Sequence, residues 1–485
     1  MNRDAIFAHI DAHVGDDIAH VQRWVRQPSV SWHDHGVTEM ATVVAESFEE
    51  LGCRDIAVLE GRYQPGVWAF LDVGAPVTVH SYAMFDTRTV DAARWSHDPF
   101  GGEIVTKDGG RVLVGRGALG AKGPFVAFLN ALRAILAVEG TLPMNVMFLP
   151  EGEEILGSPT YAQHVERHRD RLGRVAASYC PSSAQAGPGA VSVGLGLKGM
   201  AVLELTVEGA RWSGAPASTI HSSAASLVHS PPFRLAQALA TLTESDGSGC
   251  RVPELAALWD ARQPLSAGRT ELLRAIGART AGTDWRDVLG VGGVANVDRL
   301  LTRLEGVTPL VDLLYGPTFN VAGLRSGFLG PNTGTIPFIV PGSATATIDI
   351  RTVVDLSAEE IIAAIRRHLD AHGFDDVAIE TFAAFDHHQT DPDHPIVRAA
   401  SDTLAAWGLE SVVWPIQPGG GPWTVVPNAL GVPCLRGAVP GGGSGGDDEY
   451  LVIDDTPSVA GLATSEKVHV DLLYAAAATL HGARG

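Results

Sequence analysis

The chain has few cysteines and a deficit of positive charge. Its 485 residues include four cysteines, Cys53, Cys180, Cys250 and Cys434, and none of them forms a C-x-x-C pair. This spacing predicts a reducing compartment and no cysteine-held metal or redox centre. The 35 Lys and Arg residues against 55 Asp and Glu residues give a net charge of −20. That balance argues against a nucleic-acid partner or an anionic membrane surface.

Long apolar runs are also missing. No run of about 18 apolar residues occurs, so we expect no membrane partner. The N-terminus, M-N-R-D, lacks the apolar stretch of a signal peptide. We therefore expect a cytoplasmic protein. Its composition, 45% apolar and 19% charged, is that of an ordinary globular protein, and its length favours one large domain plus a smaller one.

Hydrophobic periodicity predicts an α/β protein. Apolar residues recur every three to four positions, as on one face of a helix, in segments 6–25, 37–51, 125–138, 160–171, 358–372, 396–407 and 468–480. Short apolar runs predict buried strands at 55–60, 66–71, 77–82, 144–149 and 176–180. Segments 199–207 and 344–350 alternate like antiparallel strands, which predicts a different layer from residue 197 onwards.

Three short motifs follow the predicted strands and helices of the first half. Residues 84–86 read M-F-D, residues 115–123 read G-R-G-A-L-G-A-K-G, and residues 151–158 read E-G-E-E-I-L-G-S. They resemble the H-x-D, G-R-G-x-x-D-D-K-G and E-G-x-E-E-x-G-S landmarks of the M20 metallopeptidase family of two-zinc dipeptidases and aminoacylases.

The resemblance covers nearly the whole chain and implies a fold. It predicts an M20-type catalytic domain, a mixed sheet flanked by helices, formed by residues 1–196 and 390–485. Residues 197–389 would form an inserted α+β lid and dimerisation domain. The resemblance therefore also implies a homodimer that forms through the insertion.

The frames of the motifs are present, but the zinc ligands that the resemblance implies are not. The five ligand positions hold side chains that do not bind zinc well: Met84, Gly120, Ile155, Ser182 and Gly445. We therefore predict no two-zinc site and no cofactor. An alternative is a single ion held by Asp86, Glu154 and either Asp447 or Asp448.

The resemblance also assigns catalytic roles to residues that remain. Glu154 matches the general base, because Gly157 and Ser158 fix the register of the motif, although a slip by one residue would make Glu153 the base and Glu154 the ligand. Asp86 matches the residue that orients the first ligand. Asp86 or Lys122 would supply charge to the site.

The oxyanion-binding histidine of the family matches His221 in the segment I-H-S-S. A competing alignment of R-W-S-G would put Trp212 at that position. In the family this histidine usually comes from the partner subunit.

A second group of residues resembles the family's substrate-binding positions. Arg351 ends an alternating strand and would bind a substrate carboxylate through its planar guanidinium. Asn320 matches a P-T-x-N stretch, Gly420 and Gly421 match a glycine loop at the carboxyl end of the substrate, and Ser182 follows the predicted strand at 176–180.

These observations favour a metal-independent enzyme on the M20 scaffold. Its substrate would be a small peptide-like or N-acyl amino-acid-like molecule with a carboxylate, and Glu154 would be the general acid or base. Proton abstraction beside a carbonyl, elimination, epimerisation, or acyl transfer through Cys180 or Ser182 all fit. The alternatives are a dipeptidase or amidase with a non-standard metal site, and a non-catalytic ligand-binding homologue.

Overall fold

The computed structural model describes residues 1–120, 122–182, 185, 190–244, 249–260, 265–279, 284–285, 297–328 and 337–482. In this part of the chain the helices are α1 Arg3–Arg26, α2 Val37–Glu50, α3 Lys122–Glu139, α4 Tyr161–Arg167, α5 Arg169–Leu172, α6 Pro231–Leu242, α7 Pro253–Asp260, α8 Ala267–Arg279, α9 Thr308–Tyr315, α10 Ala358–Ala371, α11 Pro395–Ala406, α12 Val425–Leu430 and α13 Leu462–Gly482. None of them combines the length and apolar composition needed to cross a bilayer.

The strands are β1 Arg54–Leu59, β2 Gly66–Leu71, β3 Thr78–Ser81, β4 Glu103–Lys107, β5 Gly110–Val114, β6 Asn145–Phe148, β7 Val175–Pro181, β8 Ala190–Gly194, β9 Gly196–Leu197, β10 Gly199–Glu208, β11 Ile220–His221, β12 Thr318–Ser326, β13 Ile339–Val340, β14 Ser343–Thr352, β15 Ala378–Phe385, β16 His388–Gln389, β17 Glu410–Trp414, β18 Cys434–Gly437, β19 Gly442–Gly443 and β20 Tyr450–Val452.

An eight-stranded mixed sheet forms the centre of the molecule, in the order β1-β2-β6-β3-β7-β18-β8-β17. Strands β6, β3, β7 and β18 run parallel, whereas β1, β2 and β6 pair antiparallel. The main core includes side chains from α1, α2, α3, α11 and α13 packed against this sheet. The predicted mixed sheet flanked by helices is confirmed.

The helix periodicities correspond to buried faces. In α1, Ile6, Ile10, Val21 and Val25 are all buried, as the three-to-four spacing predicts. The helix predicted at 160–171 is instead two short helices, α4 and α5, that meet at His168.

A second, four-stranded antiparallel sheet has the order β12-β14-β10-β15. Its strands lie between Gly199 and Phe385, within the predicted insertion 197–389. One face packs against α6, α7 and α10 in a separate core. The other face, which carries Met200, Thr347 and Arg351, is only partly buried. We call this sheet the lid sheet.

A third sheet, in the order β19-β20-β5-β4, joins distant parts of the chain. Strand β5 runs into the loop at Gly115–Gly120, and the hairpin of β19 and β20 carries residues 444–449. The sequence pattern did not predict this sheet, because two of its strands have only two or three residues. It brings Gly120, Gly445 and Glu449 close together.

Candidate active site

The candidate site lies where four parallel strands end at one edge of the central sheet. Asp86 follows β3, Glu154 follows β6, Ser182 follows β7, and Arg436 lies in β18. In open α/β sheets this edge is the usual place for a ligand. The structure therefore brings together residues from positions 86 to 436.

Asp86 is fully buried and holds the turn that contains Glu154. Its carboxylate accepts hydrogen bonds from the backbone N–H groups of Glu154 at 3.2 Å and Ile155 at 2.9 Å, and from the Ser31 hydroxyl at 2.8 Å. Burial raises the pKa of Asp86 to about 6, although these hydrogen bonds oppose the shift. Asp86 thus positions Glu154 through the backbone.

Glu154 lies in the short 3-10 helix Glu154–Leu156, at the boundary between two openings. Burial and, to a smaller extent, the charge of Asp86 raise its pKa to about 7, against the opposing effects of Arg436 and Arg88. A carboxyl group with such a pKa can both donate and accept a proton near neutral pH.

The neighbouring Glu153 points elsewhere. Its Oε1 accepts hydrogen bonds from the backbone N–H groups of Tyr63 at 2.5 Å and Gln64 at 2.9 Å. Glu153 lines neither opening, so the register with Glu154 as the base is the one whose carboxylate faces the site.

The smaller opening, which we call the inner cavity, has a volume of about 200 Å³. It contains four of the five positions at which the M20 resemblance implies ligands. Its lining residues are Met84, Asp86, Thr87, Arg88, Arg116, Gly117, Gly120, Glu154, Ile155, Arg436, Ser444, Gly445 and Glu449.

The larger opening, the outer cleft, has a volume of about 1190 Å³. It lies between the central domain and the lid sheet, from which Met200, Glu204 and Thr347 contribute to its wall. Glu154 and Ile155 line both openings. A substrate in the outer cleft can therefore contact Glu154 and extend into the inner cavity.

The inner cavity does not fit the family's pair of zinc ions. Within the described residues, no group of three or more His, Cys, Asp or Glu side chains is arranged to hold a metal ion. Three arginines line the cavity instead, and one of its three carboxylates, Glu449, is ion-paired with Arg116 at 2.8 Å. Cationic side chains and side chains without donor atoms oppose the binding of a divalent cation.

The single-ion alternative meets a geometric obstacle. Asp447 is ion-paired with Arg94 at 2.7 Å, and Asp448 accepts a hydrogen bond from the backbone N–H of Ser96 at 2.8 Å. Neither lines the inner cavity with Asp86 and Glu154. In this structure Asp447 and Asp448 therefore do not join Asp86 and Glu154 in a site for a single ion.

Lys122 does not lie in the candidate site, contrary to the expectation that it supplies charge there. It is fully buried, and its Nζ donates to the backbone carbonyls of Trp24 at 2.9 Å and Gln27 at 2.6 Å. Burial lowers its pKa to about 7. Its contacts tie α3 to the carboxyl end of α1.

Among the described residues, neither candidate nucleophile is hydrogen-bonded to a base. Cys180 is buried, and burial raises the pKa of its thiol to about 11 although Arg436 opposes the shift. Among the described residues, the buried Oγ of Ser182 has no hydrogen-bond partner. Acyl transfer through either side chain therefore has no support in this geometry.

His221 lies on the surface of the insertion. Its Nδ1 is 2.9 Å from the Ser223 hydroxyl, its strand β11 pairs with β13, and it lines neither opening. Trp212, the alternative, stacks on His229 with ring centroids 4.8 Å apart and also lines neither opening.

The predicted substrate-binding residues of the lid share one face of the lid sheet. Arg351 pairs in register with Met200, which lines the outer cleft, and its guanidinium bonds Asp349 at 3.2 Å. Asn320 pairs with Asp349. Arg351 and Asn320 themselves line neither opening.

The glycine loop approaches this face closely. A Cβ at Gly420 would lie 2.7 Å from the Cβ of Met200, so only glycine fits there. Gly421 is extended, with a φ of 178°, and precedes the 3-10 helix Pro422–Thr424. The loop thus touches the end of β10 beside Arg351.

The model of peptidase family M20/M25/M40 matches residues 84–465. The chain belongs to this family. It is 25% identical to human Beta-Ala-His dipeptidase over 390 residues, 76% of this chain and 71% of the relative. It is 24% identical to a Cys-Gly metallodipeptidase of Schizosaccharomyces pombe over 385 residues, 76% of each chain.

Solved structures of the family have the same fold. An M20 family metallo-carboxypeptidase from Sulfolobus solfataricus superposes with a TM-score of 0.79 at 24% identity, covering 95% of this chain and 99% of that one. Human carnosine dipeptidase 1 superposes with a TM-score of 0.73 at 20% identity, covering 98% and 100%. Family membership and the dipeptidase relatives support an enzyme of the peptidase class.

Three charged residues of the inner cavity were not singled out in the sequence: Arg88, Arg436 and Glu449. Arg436 ends a short apolar stretch, V-P-C-L, at a point where a charged side chain interrupts a buried strand. That interruption was the available signal. For Arg88 and Glu449, no local pattern distinguishes them from surface charges.

Proposed function

We propose that this chain is an M20-scaffold enzyme that acts on a small peptide-like or N-acyl amino-acid-like substrate through Glu154, without the family's two-zinc centre. The observation that carries the proposal is the location of Glu154. In the part of the chain that the structure describes, it is the one carboxylate that lines both the inner cavity and the outer cleft.

The roles follow from the contacts. Glu154 exchanges a proton with the substrate or with a water molecule in the cleft. Asp86 is a positioning residue, since it holds the backbone of Glu154 and Ile155. Proton abstraction beside a carbonyl and hydrolysis by a Glu154-activated water both need this arrangement, and the peptidase relatives favour hydrolysis.

The lid and a second subunit supply the remaining substrate contacts. The lid residues Arg351 and Asn320 and the glycine loop at Gly420 and Gly421 contact the substrate when the lid closes over the outer cleft, and Ser182 contributes from β7. The enzyme acts as a homodimer through residues 197–389, with His221 acting on the site of the partner subunit. An exposed His221 remote from the openings of its own chain is consistent with this role.

The test combines metal analysis with a substrate screen. Purified protein is analysed for bound metal, then assayed against dipeptides and N-acyl amino acids with and without a chelator. Loss of substrate, epimerisation and elimination are each followed by chromatography. We expect activity that survives the chelator and disappears in Glu154→Gln. Two zinc ions per chain with chelator-sensitive activity would overturn the metal-free proposal, and a normal rate in Glu154→Gln would overturn the role of Glu154.

A further inference from the structure

Arg436 is an incompletely paired cation beside Glu154. Its Nη1 donates to the side-chain oxygen of Gln417 at 2.7 Å, and its guanidinium stacks over Trp423 at 5.2 Å from the ring centroid. Its buried Nε has no hydrogen-bond partner among the described residues. In the same part of the chain no carboxylate lies within ion-pair distance of it. A neutral amide thus orients this cation, and its charge acts on Glu154, whose pKa it lowers.

Arg88 brings a second cation to the same cavity. It is exposed, and its Nη1 lies 3.8 Å from where a Cβ of Gly445 would be. Gly445 is one of the positions at which the family resemblance implies a zinc ligand. Arg116, the third arginine of the cavity, differs because Glu449 neutralises it at 2.8 Å. Two guanidinium groups therefore remain for a ligand.

The negative groups of the cavity balance these two cations only while both Asp86 and Glu154 are ionised. Glu449 is ion-paired with Arg116, and the carboxylate of Asp86 accepts hydrogen bonds from two backbone N–H groups and a hydroxyl. When Glu154 holds its proton, the cavity has one excess positive charge. Arg436 is half-buried with a buried, unpaired Nε, and an oxyanion that binds its guanidinium gains charge-assisted, bidentate hydrogen bonds.

We propose that Arg436 and Arg88 form an anion subsite in the inner cavity that binds a carboxylate of the substrate beside Glu154. The inference rests on the proposed function and specifies its substrate class. The substrate is a small carboxylic acid whose carboxylate lies close to the atom that exchanges a proton with Glu154. The cations of this subsite line the same cavity as Met84, Gly120, Ile155 and Gly445, the positions at which the M20 resemblance implies metal ligands.

This subsite is distinct from the carboxylate site expected at Arg351. The guanidinium of Arg351 bonds Asp349 on its own strand and lines neither opening. Arg436, in contrast, has an orphaned donor and shares a cavity with Glu154. Replacing Arg436 should therefore weaken carboxylate binding in the inner cavity, whereas replacing Arg351 should leave that binding unchanged.

Anion binding can be measured without turnover. Sodium acetate is titrated into the full chain, with sodium chloride at equal ionic strength as the reference, and the dissociation constant is derived from the rise in Tm. We expect Arg436→Met to weaken acetate binding at least ~10-fold, since a charge-assisted pair contributes more than about 1.4 kcal/mol. Arg88→Met should weaken it several-fold without endangering the fold, because Arg88 is exposed.

Three outcomes would overturn the subsite: no acetate-specific rise in Tm for the unmodified protein, unchanged affinity in both variants, or loss of binding only in Arg351→Met. A parallel titration with inorganic phosphate separates the anion classes, and much tighter phosphate binding would overturn the carboxylate assignment. Acetate binding that depends on Arg436, together with full turnover in Glu154→Gln, would support the subsite but contradict the proposed function. The two failures are therefore distinguishable.

Discussion

The carboxylate of Glu449 occupies the space that a side chain at Gly120 would need. Its Oε1 accepts hydrogen bonds from the backbone N–H groups of Leu119 at 3.0 Å and Gly120 at 2.5 Å, and it lies 3.0 Å from where a Cβ of Gly120 would stand. Its Oε2 is ion-paired with Arg116. Position 120 is where the family resemblance implies the metal-bridging Asp, so the carboxylate nearest that point belongs to another residue and is already paired.

Restoring the bridging residue should therefore damage the site. Gly120→Asp introduces a second carboxylate against the buried Glu449, and we expect a loss of about 1–3 kcal/mol in the free energy of unfolding from overpacking, plus like-charge repulsion. Urea denaturation measures the loss. Gly446→Asp is the matched control, because nothing lies within 4 Å of a Cβ there. A stable Gly120→Asp variant that gains zinc would contradict this account of the cavity.

Glu154 and Glu153 offer a paired test of catalysis. Glu154→Gln should lower kcat by about 10²–10⁴-fold, the range for removal of a general acid or base. Glu153→Gln should keep kcat within a few-fold, because the carboxylate of Glu153 lines neither opening and instead accepts hydrogen bonds from the backbone N–H groups of Tyr63 and Gln64. It should destabilise the protein by about 1 kcal/mol. Steady-state kinetics and urea denaturation give both numbers, and an inverted result would support the shifted register.

The pH profile should report the carboxyl group of Glu154. With Glu154 as the base, kcat/KM should rise with pH and level off above about 7, the pKa of this group. Because Arg436 lowers that pKa, Arg436→Met should move the rising limb to higher pH. A rate profile measured from pH 5 to 9 checks both expectations. An unshifted limb in Arg436→Met would mean that another group titrates.

The pH dependence of the free energy of unfolding should also report the titration of Glu154, in the absence of substrate. The pKa of Glu154 is raised from 4.5 to about 7, so the folded state holds this proton more tightly than the unfolded state does. The stabilisation that the protonated Glu154 gives to the folded state is fully present below about pH 4.5 and is lost as pH rises through 7. Glu154→Gln cannot lose a proton, so its stability relative to the unmodified protein should be greater at pH 8 than at pH 5. Denaturant unfolding at both values measures this difference.

Cys180 and Cys434 should be unreactive in the folded protein. Burial raises the pKa of Cys180 to about 11 and that of Cys434 to about 12. We expect neither to react with a thiol reagent at pH 7 until the protein is unfolded. Cys180→Ser should keep activity within about three-fold, since no base activates the thiol. Rapid labelling with loss of activity would revive the acyl-transfer hypothesis.

Subunit mixing tests the role of His221. If His221 acts on the site of the partner subunit, a mixture of Glu154→Gln and His221→Ala chains forms mixed dimers with one intact site. Random exchange then restores roughly a quarter of full activity. Glu154→Gln mixed with the double variant serves as the control and should restore none. Absence of complementation in a mixture shown to contain mixed dimers would contradict the shared site.

Local patterns in the sequence were sufficient for much of the fold. The buried residues of α1 follow the predicted three-to-four spacing, and Val146–Phe148 lies within a predicted apolar strand. The motif register was also available locally: Gly157 adopts a φ of 87°, which favours glycine, and closes the turn that contains Glu154. These features depend on neighbours within a few residues.

Longer-range features had no local signature. Lys122 belongs to a recognisable motif, yet its Nζ reaches carbonyls at Trp24 and Gln27 that only the packing of α3 on α1 brings near. Arg436 and Glu449 reach the site from more than 280 residues beyond Glu154 through β18 and the hairpin of β19 and β20. The third sheet itself is composed of segments too short to show a period.

The sequence by itself therefore determined the family frame and which residues stand where the M20 resemblance implies metal ligands, because the identities of Met84, Gly120 and Ile155 need no coordinates. Only the tertiary structure decided what surrounds those positions. Parallel strand pairing places Arg436 beside Glu154, and hairpin pairing places Glu449 against Gly120. Charge balance in a cavity depends on distances between side chains that are remote in sequence, and the fold alone sets those distances.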